Sequence, residues 1–254
     1  MIPPDITLAL KVLTVNTHKG FTFFNRRFIL PELRDAIRGT DADIVFLQEV
    51  IGSNARHARK HLHWPDSSQF EFLADSIWQD FAYGRNAVYP HGDHGNAVMS
   101  KFPITRYNNL DVSSAGAREK RGMLHCVVQL PDGRSLHAVC VHLGLLERHR
   151  LEQLNQLCEL IDEEVPPDDP LLVAGDFNDW RLRAQPFLMT RCGLEEVFHS
   201  RWGQVARTFP ARFPLLRLDR IYVRNVRVFE PVRLSGRPWS HLSDHAPLAA
   251  QVGL

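Results

Sequence analysis

Leu171-Leu172-Val173-Ala174-Gly175-Asp176-Phe177-Asn178-Asp179 is an apolar run that meets a glycine and ends in an acid, a ring, an amide and a second acid. Such a run has the length of a buried strand. The glycine lets the backbone turn or pack closely as the strand stops. One strand end then delivers a carboxylate that can hold a metal or take a proton from water, and an amide that can hold a phosphate oxygen. A plain strand followed by an Asx-turn has the same pattern. The two readings separate on whether the chain repeats the device elsewhere.

It does. The β-branched and aliphatic stretch Thr7 to Val15 reads as a strand ending in Asn16-Thr17-His18-Lys19-Gly20. Ile44 to Leu47 reads as a buried strand ending in Gln48-Glu49. Met123 to Leu130 and Ser135 to Val141 flank the turn Pro131-Asp132-Gly133-Arg134, and the return strand ends in His142. Leu242-Ser243-Asp244-His245 precedes a closing strand, Ala246 to Val252. Arg217 to Val223 is a strand with one acid inside it, Asp219, which needs a partner if buried. Val226 to Leu234 is expected to pair with that strand.

Between these strands, Pro31 to Gly39, Gln69 to Trp78 and Glu147 to Glu164 read as helices. The longest carries Leu151, Leu154, Leu157, Leu160 and Ile161 as its apolar stripe, and Pro166-Pro167 close it. Ala184 to Met189 reads as a short helix. Tyr89-Pro90-His91-Gly92-Asp93-His94-Gly95-Asn96 is a polar, glycine-rich loop on the substrate side, with metal binding by its two histidines and aspartate as the alternative, followed by strands over Ala97 to Met99 and Thr105 to Leu110.

Composition sets the outer bounds. The chain has 254 residues, 44% hydrophobic and 23% charged, with a formal net charge of +1. These are the proportions of a soluble globular protein, and no global charge marks a nucleic-acid binder. No repeat or linker divides the chain, so one domain over residues 1–254 is expected. No stretch approaches the ~20 apolar residues of a membrane helix. Cys126, Cys140, Cys158 and Cys192 form no C-x-x-C pair. They are expected to be free thiols in a cytoplasmic, reducing compartment, with Cys126 and Cys140 on neighbouring strands as the alternative pairing. Arginines concentrate from Arg201 to Arg237, either as a solvated face or as a basic rim around a phosphate site.

Asn16, Glu49, His142, Asp176, Asn178, Asp219, Asp244 and His245 each have an ordinary structural explanation as turn, cap or core residues. Together they form a set of carboxylates, amides and imidazoles without a G-x-S-x-G nucleophile. That set suits hydrolysis by metal-activated water, and oxygen-rich ligands favour Mg²⁺ or Mn²⁺ over zinc.

The ordered motifs N-T-H, L-Q-E-V, G-N-A-V-M-S-K-F-P-I, K-R-G-M, V-H-L, G-D-F-N-D, R-L-D-R-I-Y-V and L-S-D-H-A-P-L resemble those of the endonuclease/exonuclease/phosphatase superfamily, from Asn16 to Leu248. This resemblance implies an α/β (α+β) four-layer sandwich, two stacked mixed β-sheets flanked by helices, with the site at one end of the sheets. By motif, it implies Glu49 as the principal Mg²⁺ (or Mn²⁺) ligand, Asn16 beside it and Asp244 helping to hold metal. Asp176 orients or deprotonates water, and Asn178 and His142 grip phosphate oxygens. His245, paired with Asp219, stabilises charge at phosphorus. Arg121, before Gly122, contacts phosphate, and Asn96 hydrogen-bonds near the site or supports its loop. Val50-Ile51-Gly52 after Glu49 departs from the abasic-site endonucleases and sits closer to the sphingomyelinase and tyrosyl-DNA-phosphodiesterase side. The implied activity is a metal-dependent phosphodiesterase acting as a monomer on a phospholipid or other small phosphodiester. A nuclease is the alternative, and a catalytically inactive binding module a third.

Overall fold

A computed structural model describes residues 8–22, 27–61, 64–75, 77–116 and 119–254. Thr7, at the start of the first expected strand, and Arg118, in the basic run before Arg121, lie outside them. Its elements in order are β1 (Ala9–Asn16), α1 (Leu30–Arg38), β2 (Ile44–Asn54), α2 (Ala55–Ala58), α3 (Gln69–Ala74), β3 (Asp80–Tyr89), β4 (Gly92–Ser100) and β5 (Ile104–Asp111). There follow β6 (Gly122–Gln129), β7 (Ser135–His142), α4 (Glu147–Glu164), β8 (Leu171–Asp176), α5 (Ala184–Cys192), β9 (Glu195–Glu196) and α6 (Val197–Trp202). The chain closes with β10 (Asp219–Arg224), β11 (Arg227–Arg233), α7 (Trp239–Leu242) and β12 (Leu248–Gly253).

The strands form two mixed six-stranded sheets, ordered β11-β12-β1-β2-β4-β3 and β5-β6-β7-β8-β10-β9. Their inner faces share one apolar interior, in which Val12, Phe46 and Val98 of the first sheet meet Leu124, Cys140 and Ala174 of the second. A second core lies between the second sheet and α4 and α5, built on Val139, Val173, Leu157 and Leu188. A third lies between the first sheet and α1, α3 and α7, built on Leu13, Val45, Leu33 and Leu73. The architecture is therefore the four-layer α+β sandwich. Burying a leucine or phenylalanine in such an interior is worth roughly 1.5–3 kcal/mol.

The helices follow local chemistry. Pro31 sits in the first turn of α1, where its missing N–H costs nothing, and Leu30, Leu33 and Ile37 form the buried face. Ser68 and Glu71 close a capping box on α3, which ends at Ala74, short of the expected Trp78. The long helix α4 has the expected bounds, but Leu151 is 39% exposed; Leu154, Leu157, Cys158 and Ile161 carry its packing, with Arg150 and Gln153 also buried.

Four expectations need correcting. The polar stretch Tyr89 to Asn96 is not a free loop. It is the tip and return arm of a β3–β4 hairpin whose register joins Tyr89 to Gly92 and Gly84 to Asn96. Backbone pairing there overrides a polar, glycine-rich composition. β11 pairs with β12, not with β10, so it belongs to the first sheet while β10 lies between β8 and β9 in the second. The strand carrying Asp219 begins at that residue rather than enclosing it. Cys158 and Cys192 are bonded to each other, tying α4 to α5, while Cys126 and Cys140 are the buried free thiols. With one pair bonded, cysteine usage no longer points to a reducing compartment.

Candidate active site

Strand direction explains why distant residues meet. β1 and β2 run parallel with Asn16 opposite Gln48, and β7 and β8 run parallel with His142 opposite Asp176. Parallel strands present their carboxyl ends on the same edge of the sheet. β10 runs against β8, so its first residue, Asp219, lies opposite Asp176. β12 runs against β1, with Leu248 opposite Thr14, so Asp244 and His245 enter at the same end. A hydrogen bond from Asn16 Nδ2 to Asp176 Oδ2, 3.3 Å, joins the two sheets across that edge.

Asp176 is the centre. It is 2% exposed. Its Oδ1 accepts from the main-chain N–H of Asn178 at 2.9 Å. Its Oδ2 faces Asn16, His142 Nε2 at 3.6 Å and His245 Nε2 at 3.9 Å. Asp219 Oδ2 meets His245 Nδ1 at 2.9 Å, giving the lone acid of β10 its partner. The β8 backbone reaches this point only because residue 175 is glycine. At φ +145° a Cβ there would lie 1.9 Å from the Val141 carbonyl oxygen of the neighbouring strand.

Two other candidates occupy left-handed backbone. Glu49 has φ +57° and Asn178 φ +50°. For residues other than glycine this costs roughly 1–2 kcal/mol each. Strained conformations of this kind collect at functional sites, where the surroundings enforce them. Glu49 corrects a further expectation: it does not end its strand. β2 continues to Asn54, and its pairing with β4 shifts register between Leu47 and Val50, so Gln48 and Glu49 form a bulge. A bulge re-aims a side chain without ending the strand. The Thr17 hydroxyl donates to the Glu49 carbonyl at 3.1 Å, and the Glu49 carboxylate lies 3.9 Å from Lys19 Nζ.

Charge in the site is unevenly assigned. Burial pushes His142 down, and the Arg121 charge adds to this, so its imidazole is neutral well below the usual range. His245 suffers the same burial, but Asp219 and Asp176 outweigh it and lift the imidazole to about 10. Burial raises Asp176 to about 6, against the opposing pull of His245. The site thus pairs a cationic imidazole with a neutral one on either side of a carboxylate that ionises near neutrality. Asp244 is half-buried, yet His18 beside it (3.1 Å between Oδ1 and Nδ1) and the nearby His245 hold it below the ordinary value.

The side-chain amide of Asn178 donates to the Leu143 carbonyl at 2.9 Å, leaving one N–H and its oxygen uncommitted in that bond. Arg121 pairs with Glu119 at 3.2 Å and acts on the cleft through its charge. Asn96 is wholly buried in β4 and donates to the carbonyls of Gly122 and Cys140. It clamps the two sheets together beside Arg121, which is the supporting one of its two expected roles.

Sequence reasoning passed over two neighbours: His18 on Asp244, and Ser243, whose Oγ donates to the Asn16 carbonyl at 2.7 Å; the ring of Phe209 also lies here, its centroid 5.0 Å from that of His245. His18 and Ser243 stood inside motif runs already singled out.

Only part of this set fits a divalent cation. Asp176, Asp219 and His245 are the one group of three carboxylate or imidazole ligands within 4.8 Å of one another among the described residues. Held protonated, however, His245 has no lone pair to offer a metal. Glu49, Asn16 and Asp244, on the other wall, offer oxygens only. That donor chemistry suits a hard cation such as Mg²⁺ or Mn²⁺.

Comparison with known proteins agrees with this architecture. Over 99% of this chain and the whole of the other, it is 58% identical to the uncharacterized protein YbhP of Escherichia coli (strain K12). Its fold matches a structure of D. rerio TDP2 complexed with single strand DNA product, with a TM-score of 0.72 and 17% identity over 97% of this chain and 99% of the other. It also matches the Bacteroides thetaiotaomicron VPI-5482 mannosyl-6-phosphatase Bt3783, with a TM-score of 0.72 and 17% identity over 96% and 100%. At such identities the solved structures speak to the fold alone. The model of the Endonuclease/Exonuclease/phosphatase family matches residues 13–245, and the chain belongs to that family of hydrolases.

Proposed function

We propose that this chain is a divalent-metal-dependent phosphodiesterase that cleaves its substrate by attack of water, with residues 1–254 acting as one catalytic domain. The observation that carries the proposal is the Asp176 carboxylate, with one oxygen shared among Asn16, His142 and His245 while Asp219 sits behind His245. Asp176, ionised above about 6, accepts the proton of the attacking water. The His245 imidazolium, held in charge and orientation by Asp219, faces the phosphoryl oxygens and offsets the negative charge that builds on them. Neutral His142 and the free N–H of Asn178 hold non-bridging oxygens. Arg121 adds positive charge at the rim. Glu49, with Asn16 and Asp244, would hold Mg²⁺ or Mn²⁺, which when bound supplies further positive charge beside the phosphate.

A cavity of about 610 Å³ opens from Asp244, walled by Ile29, Pro210, Phe213 and Leu242, with Arg27 and Arg212 among its lining residues. Phe213 is 71% exposed there. An apolar wall beside Arg212 and the Arg27–Glu32 ion pair supports a small organic phosphodiester or phospholipid as substrate. A nuclease activity is the second reading, favoured by the likeness to the D. rerio protein captured with a single-strand DNA product.

The deciding test is a substrate panel of bis-p-nitrophenyl phosphate, phospholipids, inositol phosphates, single- and double-stranded DNA and abasic DNA, assayed with Mg²⁺, with Mn²⁺ and with EDTA. Hydrolysis of small phosphodiesters or phospholipids, abolished by EDTA and restored by either cation, is expected. Turnover indifferent to chelation rejects the metal. DNA cleavage that falls steeply with salt, in preference to small substrates, replaces the first reading with the second.

A further inference from the structure

A second cavity lies between α6 and the edge strand β11, with a volume of about 670 Å³. Three arginines, Arg207, Arg217 and Arg233, line it with Trp202 and a single acid, Glu230. Among the described residues, none of the three guanidinium groups has a carboxylate within ion-pair distance. Arg233 Nη1 instead donates to the Arg207 carbonyl at 3.2 Å, and Arg217 Nε to the Val205 carbonyl at 3.2 Å. Arg217 and Arg233 are thus positioned by main chain, and all three guanidinium groups are left without an ion-pair partner. Burial, and then the charges of Arg207 and Arg220, push Arg217 below its ordinary value. Like charges gathered on one cavity repel, and an anion between them removes the repulsion. Guanidinium groups also match phosphate oxygens with two parallel hydrogen bonds.

The rest of the lining asks for more than a bare anion. Trp202 is 57% exposed. Its ring is braced edge-to-face on buried Phe198, with centroids 5.3 Å apart. An exposed but anchored indole is a stacking surface for a flat ring. Glu230 offers only acceptors, so it suits an exocyclic amino group. The volume falls within the roughly 300–1,000 Å³ of small-molecule sites and exceeds what inorganic phosphate fills.

We propose that this pocket binds a nucleoside monophosphate, its phosphate on Arg207, Arg217 and Arg233, its base on Trp202 and an amino group of the base on Glu230. The ligand chemistry is the same for a free nucleotide and for the phosphorylated end of a strand. The proposal is independent of the reading of the cleft, although the two regions touch. Arg207 precedes Thr208, whose Oγ1 accepts from the Asp219 N–H at 3.2 Å and whose carbonyl accepts from the Ala246 N–H at 2.8 Å.

The test is titration of the full chain in EDTA with AMP, followed by calorimetry and tryptophan fluorescence. Saturable binding with quenching is expected, with adenosine and inorganic phosphate each binding at least tenfold more weakly. Arg207→Gln and Arg233→Gln should each weaken AMP at least tenfold, and Trp202→Leu should remove the quenching. Glu230→Gln should narrow the preference for AMP over UMP. Arg233, on the edge strand, is the safer variant should Arg217→Gln unfold the chain, and a thermal melt reports this. A 5′-phosphorylated oligonucleotide that competes better than AMP assigns the pocket to strand ends, and the reverse order assigns it to the free nucleotide. No saturable binding of AMP or of that oligonucleotide at millimolar concentration, or binding unchanged in the Arg207→Gln/Arg233→Gln double variant, overturns the proposal.

Discussion

Two histidine–aspartate contacts lie at opposite ends of the second sheet. At one end His245 meets Asp219 at 2.9 Å. At the other, His137 meets Asp169 at 3.3 Å, with His125 hydrogen-bonded behind it at 2.9 Å. His142 and His137 are five residues apart on β7, about 17 Å along the strand. All four imidazoles are buried. Burial acts on each in the same direction, yet His245 is raised to about 10, His125 falls to about 4 and His137 is also lowered. The difference is the number and burial of the acids. His245 is faced by Asp219, Asp176 and Asp244. His137 has one aspartate, a third exposed, and His125 has only another histidine at hydrogen-bond distance. A histidine–aspartate contact therefore does not make a cation on its own; several desolvated carboxylates do.

The largest effect expected from this contrast is on turnover. Replacing His245 or Asp176 by alanine should reduce turnover at least ~10²-fold. His137→Ala should leave turnover within a few-fold of wild type while lowering the denaturation midpoint. Equal losses at both ends in steady-state assays would remove the distinction.

The next is the pH profile. A base ionising near 6 and a cation persisting to about 10 predict that kcat/KM rises through pH 6 and falls toward pH 10. Asp219→Asn should move the alkaline limb down by more than one pH unit. An unmoved limb would assign it to another group.

Stability sharpens the comparison with opposite signs. His245 has its folded value above the unfolded one, so its contribution is fully present below about pH 6.5 and lost as pH rises through about 10. His125 is the reverse. Between about 6.5 and 4 the unfolded imidazole carries a proton that the folded one refuses, so stability falls as pH drops, by at most about 1.4 kcal/mol per pH unit. Urea titrations of His125→Leu should show a flatter acid limb than wild type. The smallest effect belongs to Asp169→Asn, which keeps the side chain but weakens one half-exposed contact. It should cost about 0.5–1.5 kcal/mol, with no change in turnover.

Much of the site was legible residue by residue. Asn16, His142 and Asp176 stand where aliphatic strands give way to polar residues, and that transition is a local signal. Glu49 was legible as a candidate but not as a bulge, because the register shift is set by β4, forty-odd residues on. Asn96 looked like a loop residue because glycine and polar neighbours surround it, whereas pairing on both sides makes it a buried clamp. The partner of β11 was misjudged because sequence neighbours usually pair, and here the chain crosses to the other sheet between β10 and β11.

From the sequence alone came most of the element types, the polar strand ends and, through ordered motifs, the family. These depend on periodicity and on short runs of residues, which one dimension records. Which imidazole is charged and which neutral was decided only by tertiary structure, as were the joining of the sheets through Asn16 and Asp176, the Cys158–Cys192 bond and the arginine-lined pocket. Each of these depends on the distance and burial of groups far apart in the chain, and electrostatic energy is set by those two quantities rather than by order along the backbone.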